Sequence, residues 1–419
     1  MAILALALRS LLTRRATALL VVLSIGPSAT LLLGVERLRT QARAGFANTI
    51  SGTDLVVGAR TGAAALLLHA VFRIGHATAS VSWASYQEIA RHPRVRWTIP
   101  LSLGDSHRGF AVLGTSADYF RHYRYARTRG LDLEGGRPLE DVYDAVIGAA
   151  VARELGYRLD QPIFVAHGAV DAGTARHDDK PFRVVGILRR TGTPVDRTVH
   201  VTLAGLEAIH LDWAGGMRVP GSAVSAEEAR RQDLTPHSIT AFLVGLDSRT
   251  AVFHVQRFAN EYRKEPLLAI LPGVVLQELW DAIGVAEQAL LGVSALVALV
   301  GLSGMVTALL AGLNERQREM AVLRSVGARP RHVLALVVGE AAALAAAGIA
   351  LGVGLLYLGL LGARSIIQTR LGLAIEIGLP SRHEWLLLAA VLVAGVAAGL
   401  WPALRAYRYA LADGLTVHV

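Results

Sequence analysis

The side chains in this sequence that are best suited to chemistry are histidines and aspartates in its polar middle, where they could hold a metal ion. The cluster comprises His167, Asp171, His177, Asp178 and Asp179. Its histidines lack the His-x-x-x-His spacing that places two ligands on one face of a helix, and the chain has no cysteine. We therefore interpret the cluster as surface side chains of a hydrophilic loop, and no metal site is predicted.

Sequence motifs of the common catalytic classes are also missing. Neither Lys180 nor Lys264 follows a glycine, so the sequence has no Walker A loop for ATP. His383 and Glu384 begin an H-E-x-x-H motif, but Leu387 stands where the second histidine must be. No G-x-S-x-G nucleophile elbow occurs. The sequence thus predicts no catalytic residue and no cofactor in this chain.

A charged segment with a helical pattern, residues 314–330, lies between two long apolar runs. Its first turn contains Glu315, Arg316, Arg318 and Glu319. One apolar edge follows at helical spacing, formed by Met320, Leu323 and Val326. Gly327 tolerates the left-handed geometry that ends helices, and Pro330 suits the first turn of a new helix. The pattern predicts a short surface helix on which a partner could dock, although an ordinary charged loop with topology-fixing arginines has the same composition.

The composition indicates an integral membrane protein. The chain has 419 residues, of which 53% are hydrophobic, and a mean hydropathy of +0.43. Most of the net charge of +9 comes from arginines in the segments that we expect in the cytosol. The excess of positive charge therefore reflects the orientation of the chain in the membrane, and nucleic-acid binding is not expected.

Apolar runs long enough to cross a bilayer divide the chain. The predicted transmembrane helices are 16–34, 282–313, 331–362 and 385–404. The expected cytosolic segments are 1–15, 314–330 and 405–419, and 363–384 forms a short extracytoplasmic loop. The first run follows a basic lead and has nineteen residues without a charge, which favours an uncleaved anchor over a cleaved signal peptide.

The long polar segment 35–281 is predicted to be an extracytoplasmic α+β domain. Strand-like runs between turn residues lie at 54–58, 109–114, 145–148 and 182–188. Helical runs lie at 36–48, 82–91 and 149–156. The apolar run 62–72 is too short to span a membrane, so it is either a core helix or an exposed helix that touches lipid or a partner.

The third apolar run contains residues that we expect to have structural or coupling roles. Glu340 lies about nine residues into it, roughly 13 Å by helical rise. A carboxylate in lipid is costly and usually has a partner; the alternative is a protonated or snorkelling side chain. Gly348 and Gly352 have the spacing that lets membrane helices approach closely, although many spans without a dimer role share it.

The charged segment closely resembles the coupling helix of ABC-transporter permeases of the FtsX, LolC/LolE and MacB superfamily. Their E-R-x-R-E-x-A-x-L-R-x-x-G-A run is matched by Glu315, Arg316, Arg318, Glu319, Ala321, Leu323, Arg324, Gly327 and Ala328. The polar segment resembles the MacB-type extracytoplasmic domain in the order of Gly114, Tyr119-Phe120, Gly136-Arg137 and Leu155-Gly156. One departure is Asp160-Gln-Pro162, which replaces a Gly-Asp turn.

The resemblance implies a polytopic α-helical membrane protein with four transmembrane helices and a MacB-like α+β domain between the first two. It also implies a non-catalytic permease subunit, while a separate dimeric ATPase holds ATP and Mg. That ATPase would dock on Glu315, Arg316, Arg318, Glu319, Leu323, Arg324 and Gly327. Its motion would move the extracytoplasmic domain, a process called mechanotransmission, to export or extract a substrate at the outer side of the membrane. The alternative is an FtsX-like regulator of a cell-envelope hydrolase or sensor; an intramembrane protease is disfavoured by the missing motifs.

The expected partners follow from this resemblance. Four spans are too few to enclose a path, so a second permease copy or a homologue should pair with the chain, and we expect a homodimer. A periplasmic adaptor or substrate-binding protein and membrane lipid are further expected partners. The expected location is the bacterial cytoplasmic (inner) membrane, with both termini in the cytosol.

Overall fold

The computed structural model describes residues 14–76, 78–167, 177–214, 217–218, 224–325, 328–371 and 377–412. Within these ranges it describes all side chains except those of residues 47, 167, 214, 217–218, 313–325, 364–371 and 409–412.

Long helices and short strands occupy different parts of the chain. The helices are α1 (Arg15–Thr49), α2 (Ala63–Ala70), α3 (Trp83–Ala90), α4 (Asp118–His122), α5 (Ala149–Leu155), α6 (Leu203–His210), α7 (Ala226–Ala229), α8 (Val252–Asn260), α9 (Pro272–Ser325), α10 (Pro330–Leu371) and α11 (Arg382–Ala412). The first eight strands are β1 (Leu55–Ala59), β2 (Val81–Ser82), β3 (Val95–His107), β4 (Phe110–Thr115), β5 (Leu133–Gly136), β6 (Asp144–Ile147), β7 (Pro162–Ile163) and β8 (Ala166–His167). The remaining strands are β9 (Phe182–Leu188), β10 (Thr198–Thr202), β11 (Trp213–Ala214), β12 (Met217–Arg218), β13 (Ser238–Ile239), β14 (Ala241–Leu246) and β15 (Leu267–Ile270).

In the part of the chain that the structure describes, four helices are long and apolar enough to cross a membrane. The apolar portions are Arg15–Phe46 of α1, Pro272–Gly312 of α9, Pro330–Ala363 of α10 and Arg382–Arg408 of α11. Helices suit this environment because every backbone hydrogen bond is made within the segment.

The residues form two compact units. The helical unit consists of Met1–Gln41, Ile283–Ile367 and Ile375–Val419, and the mixed unit consists of Ala42–Ala282 together with Gln368–Ala374. In chain order, the strands of the mixed unit follow α1 and precede α9.

One large sheet organises the mixed unit. Its strand order is β15-β1-β14-β3-β4-β10-β6-β9-β5, with β7 added at β9 and β8 at β3. The strand β1 lies antiparallel to both β14 and β15, with Val56 opposite Leu243 and Ile270. The pairs β4–β10 and β6–β9 are parallel, so the sheet is mixed.

Both faces of this sheet are covered, as the alternation of side chains along each strand requires. One core cluster contains Val56, Leu243 and Val146, with α2 and the end of α1 packed on it. Their strand neighbours Leu55 and Phe242 belong to a second cluster on the opposite face. All residues of β1, β6 and β14 are buried, as expected for strands covered on both sides.

The structure confirms the strands and helices that the sequence predicted in the polar segment. The four strand-like runs correspond to β1, β4, β6 and β9, and the helical runs to the end of α1, α3 and α5. The run 62–72 is confirmed as a core helix, α2, whose Leu66 and Leu67 are buried in the cluster that covers one face of the sheet. Gly58 in β1 permits this contact, because a Cβ atom there would lie 2.4 Å from Leu66 Cδ1.

His200 is a fully buried titratable group in β10. Burial and, to a smaller extent, the positive charge of Arg73 lower its pKa to about 3, although the hydrogen bond to Val146 opposes the shift. The Nδ1 atom donates to the carbonyl oxygen of Val146 at 3.1 Å.

We expect this histidine to make the mixed unit less stable in acid. The unfolded chain binds a proton at His200 below pH 6.5, whereas the folded chain binds one only near pH 3. The free energy of unfolding therefore falls as the pH is lowered through this window, by at most about 1.4 kcal/mol per pH unit. His200→Asn keeps a donor for Val146 and should reduce the fall in melting temperature between pH 7.5 and 5. The half-exposed His122→Asn is the control, and equal pH slopes for wild type and His200→Asn would contradict this expectation.

Candidate functional site

The predicted docking segment lies at the end of a much longer helix. The sequence predicted a separate short helix after residue 313, but the structure continues α9 without a break to Ser325. No glycine or proline occurs between 313 and 325 to interrupt it. The next helix begins at Pro330, as predicted. The predicted docking residues lie outside the part of the chain that the structure describes, so their docking role stays a prediction. They are Gly327 and the side chains of Glu315, Arg316, Arg318, Glu319, Leu323 and Arg324.

The first turns of α9 belong to the core of the mixed unit. Val275 is buried in the cluster that also holds Val56 and Leu243 of the sheet. The ring of Trp280 meets that of Phe46 from α1 edge to face, with centroids 5.5 Å apart. Thus the end of α1 and the start of α9 pack together within one hydrophobic core.

The connections from these helices to the sheet are short. Five residues separate Thr49 of α1 from Leu55 of β1, and Leu271 alone separates β15 from α9. The strands β1 and β15 are hydrogen-bonded neighbours over four residue pairs. Both helices are therefore connected by short segments to adjacent strands of the same sheet.

In the helical unit, two glycines bring α10 into direct contact with α1. A Cβ atom added at Gly348 would lie 2.6 Å from Cβ of Ile25, and one added at Gly352 would lie 2.6 Å from Cβ of Ala29. Such distances are too short for two side chains, so only glycine allows this approach. The spacing serves packing within one chain here, and the coupling role of Gly348 and Gly352 stays a prediction.

A second small-residue contact joins α10 to α11. Cβ atoms added at Gly395 and Gly399 would lie 2.7 Å from Ala345 Cβ and 2.3 Å from Ala341 Cβ. The helix α10 is therefore packed closely on two sides, against α1 and against α11.

Hydroxyl groups of α1 bond to the backbones of its neighbours. Ser28 Oγ donates to the carbonyl oxygen of Val297 in α9 at 3.1 Å. Thr30 Oγ1 donates to the carbonyl oxygen of Gly352 in α10 at 3.0 Å. In an apolar surrounding these bonds add to the close packing that holds helices together.

Glu340 lies in α10 and is fully buried. This burial is the condition under which a membrane carboxylate needs a partner. Its pairing and its structural or coupling role stay predictions.

A buried ion pair that the sequence analysis did not foresee connects α1 with α11. Arg37 Nε lies 3.0 Å from Glu384 Oε1, and Arg37 Nη2 lies 3.2 Å from Oε2. Arg37 Nη2 also donates to the carbonyl oxygens of Gly378 and Leu379 at 3.0 and 3.3 Å. Its guanidinium lies over the ring of Tyr357 in α10, 5.0 Å from the centroid. One arginine thus holds α1, α10 and the start of α11 together.

Glu384 was considered only as the start of an incomplete zinc motif, yet it caps a helix. Its Oε2 atom accepts a hydrogen bond from the backbone N–H of Ser381 at 2.7 Å. The Ser381 hydroxyl accepts one in return from the N–H of Glu384. This reciprocal pair is a capping box, which also positions the carboxylate for Arg37. In the sequence, this ion pair is indicated only by a charged residue just after the first apolar run and by another at the start of the last apolar run.

The interpretation of the histidine and aspartate cluster as surface residues is wrong for His177. This side chain is fully buried, with its ring 4.3 Å from that of Trp213. Lys180, also fully buried, lies 2.6 Å from Asp212 and 3.4 Å from Asp179. Asp171 lies outside the described residues. Among those that the structure does describe, no three His, Cys, Asp or Glu side chains form a group that could hold a metal ion.

Comparisons with known proteins match both units. The model of the MacB-like periplasmic core domain matches residues 16–242, just over half the chain, and that of the FtsX-like permease C-terminal domain matches residues 291–411. An uncharacterized ABC transporter permease of Methanocaldococcus jannaschii is 26% identical over 290 residues, which are 65% of this chain and 63% of the relative. The chain thus spans less than two thirds of that relative's length.

Two solved structures are similar to the chain. The periplasmic region of MacB from Actinobacillus actinomycetemcomitans is 12% identical, covers 55% of this chain and 94% of that one, and has a TM-score of 0.34. The extracellular domain of the noncanonic ABC-type transporter YknZ from Gram-positive bacteria is 13% identical, with a TM-score of 0.29. This match covers 46% of this chain and 90% of that one.

The close approach of α10 to α1 predicts unequal effects of glycine substitutions. Gly352→Leu should lower the melting temperature of the purified protein in detergent, because overpacking costs about 1–3 kcal/mol. Gly354→Leu is the matched control, since a Cβ atom there meets nothing within 4 Å. Equal melting temperatures for the two variants would show that the contact at Gly352 is not formed.

Proposed function

The chain belongs to the family with a MacB-like periplasmic core domain and is an ABC transporter permease of the MacB and FtsX type, and we propose that it couples a separate ATPase to movement of its mixed unit. In this proposal the chain is the non-catalytic subunit, and ATP and Mg are bound by the ATPase. The movement serves export or extraction of a substrate at the outer side of the membrane.

The observation that carries this proposal is the continuity of α9. The helix begins in the core of the mixed unit, where Val275 is buried, and continues to the charged segment that resembles a coupling helix. No proline lies within it after Pro272. Because no internal proline removes a backbone hydrogen bond from this helix, we expect it to transmit a push at its charged end along its axis.

The contacts of α1 support the same conclusion. This helix bonds to α9 and α10 through Ser28 and Thr30, and its other end packs against Trp280 in the mixed unit. Both helices therefore enter the mixed unit beside each other and are joined to adjacent strands. Movement of the pair would change the position of the sheet without unfolding it.

Orientation and assembly complete the proposal. We place the helices in the bacterial inner membrane with both termini in the cytosol, because arginines dominate the segments on that side. A second copy of the chain would supply the other half of the assembly, and the ATPase dimer would contact the charged segment of each copy.

Reversing one charge in the charged segment tests the coupling. Arg324→Glu should lower the stimulated ATPase activity of the purified complex in nanodiscs at least tenfold, because it places a carboxylate at the proposed ATPase contact. The melting temperature should not change, since the substitution exchanges one charged side chain for another in the charged segment.

The control for this experiment is Arg408→Glu, which reverses an exposed charge near the end of α11. It should keep at least half of the stimulated activity. Wild-type coupled activity in Arg324→Glu, with the ATPase still bound, would contradict the proposed contact.

A further inference from the structure

A strongly basic segment of the mixed unit has no role in the coupling described above. Residues 121–129 read RHYRYARTR and contain no acidic residue. Arg121, Arg127 and Arg129 are exposed, whereas Tyr123 and Tyr125 are buried beneath them. We call residues 121–129 the basic hairpin.

The basic hairpin is held in a defined conformation. Tyr125 and Arg129 exchange two backbone hydrogen bonds of 2.9 Å. Of the three residues between them, Ala126 and Arg127 have φ values of 44° and 77°, which lie in the left-handed region. Non-glycine residues adopt this geometry at a cost, so surrounding contacts must hold the turn in place.

Those contacts come from the end of α1. The N–H of Ala126 donates to the carbonyl oxygen of Asn48 at 2.8 Å, and the Tyr123 hydroxyl donates to that of Thr49. Ser51 makes two hydrogen bonds to the hairpin. Its N–H donates to the carbonyl oxygen of Arg124, and its hydroxyl oxygen accepts from the N–H of Arg127. The hairpin thus donates hydrogen bonds to backbone carbonyl groups at the C-terminal end of α1, which have no partner within the helix. Positive charge is also favourable at this end of a helix.

The charges of the basic hairpin are largely unpaired. Arg121 lies 3.6 Å from the exposed Asp118. Within the described ranges, no carboxylate lies within ion-pair distance of Arg124, Arg127 or Arg129. Other arginines of the mixed unit do have such partners, as in the pairs Arg94–Asp247, Arg137–Asp144, Arg197–Glu154, Arg230–Asp141 and Arg257–Glu261.

An aromatic surface adjoins these arginines. The ring of Trp97 stacks on that of His122 with centroids 5.2 Å apart and planes 4° from parallel. Gly245 leaves the space for it, because a Cβ atom there would lie 2.0 Å from the indole ring. Both rings are partly exposed. Arginine and tryptophan are both enriched among the residues that contribute most to protein–protein binding.

We propose that the basic hairpin, with Trp97 beside it, is a docking surface for an acidic segment of a partner protein. Guanidinium groups in a fixed geometry can donate paired hydrogen bonds to the carboxylates of such a segment. The surface is hydrogen-bonded to the end of α1, so an occupant would lie on a segment that bonds to the residues joining this helix to the sheet. This inference is independent of the ATPase contact proposed above.

The test measures binding of a fluorescein-labelled deca-glutamate peptide to the full-length protein in neutral detergent at 150 mM salt. The variant with Arg121, Arg127 and Arg129 changed to Gln should bind at least tenfold more weakly than wild type. The control changes Arg94, Arg230 and Arg257 to Gln, which removes the same charge from arginines that already have carboxylate partners. It should weaken binding less than threefold.

The other outcomes decide against the proposal. Equal weakening by both variants would mean that the peptide senses only net charge. Tighter binding of inorganic polyphosphate than of the peptide, with the same dependence on the hairpin arginines, would assign the surface to phosphate groups. Arg127→Glu, a single exposed change, checks the result if the triple variant has a lower melting temperature. ATPase coupling of the hairpin variants should stay at the wild-type level, so the two proposals can fail separately.

Discussion

The backbone ladder between β1 and β15 is the constraint on which the rest of the molecule depends. These strands are the direct continuations of α1 and α9, and their pairing fixes the two helices beside each other where they enter the mixed unit. The contact of Phe46 with Trp280 covers this junction with apolar surface. In the proposed mechanism, this ladder and the shared core would pass a shift of either helix to the sheet.

In the helical unit, close packing and internal hydrogen bonds replace the hydrophobic effect, which does not favour contact between apolar helices in lipid. Glycines let α10 touch both α1 and α11, and hydroxyls of α1 bond to neighbouring carbonyls. The pair of Arg37 and Glu384 is bidentate and bonded to two further carbonyls, so the buried charges have the additional partners that make such a pair tolerable.

Local patterns predicted much of this structure, and contacts between distant residues did not follow from them. Short apolar runs between turn residues located β1, β4, β6 and β9, because turn residues mark where a strand begins and ends. Arg37 and Glu384 are 347 positions apart, and no local pattern links them. His177 appeared polar and exposed from its neighbours, but Trp213 covers it. The continuity of α9 was missed because a change from apolar to charged residues suggested a break, although helices end at backbone signals rather than at changes in polarity.

The central claim is that α9 transmits movement as a single rigid helix. The natural sequence has no cysteine, so nitroxide labels can be attached at Gln277→Cys and Ala311→Cys, both exposed, without further changes. Electron–electron distance measurements on labelled chains, diluted with unlabelled ones in the reconstituted complex, report the length of helix between them. We expect one narrow distance distribution that is the same without nucleotide and with ATP bound. A distribution that broadens or shortens with ATP would mean that α9 bends, and would contradict transmission through it.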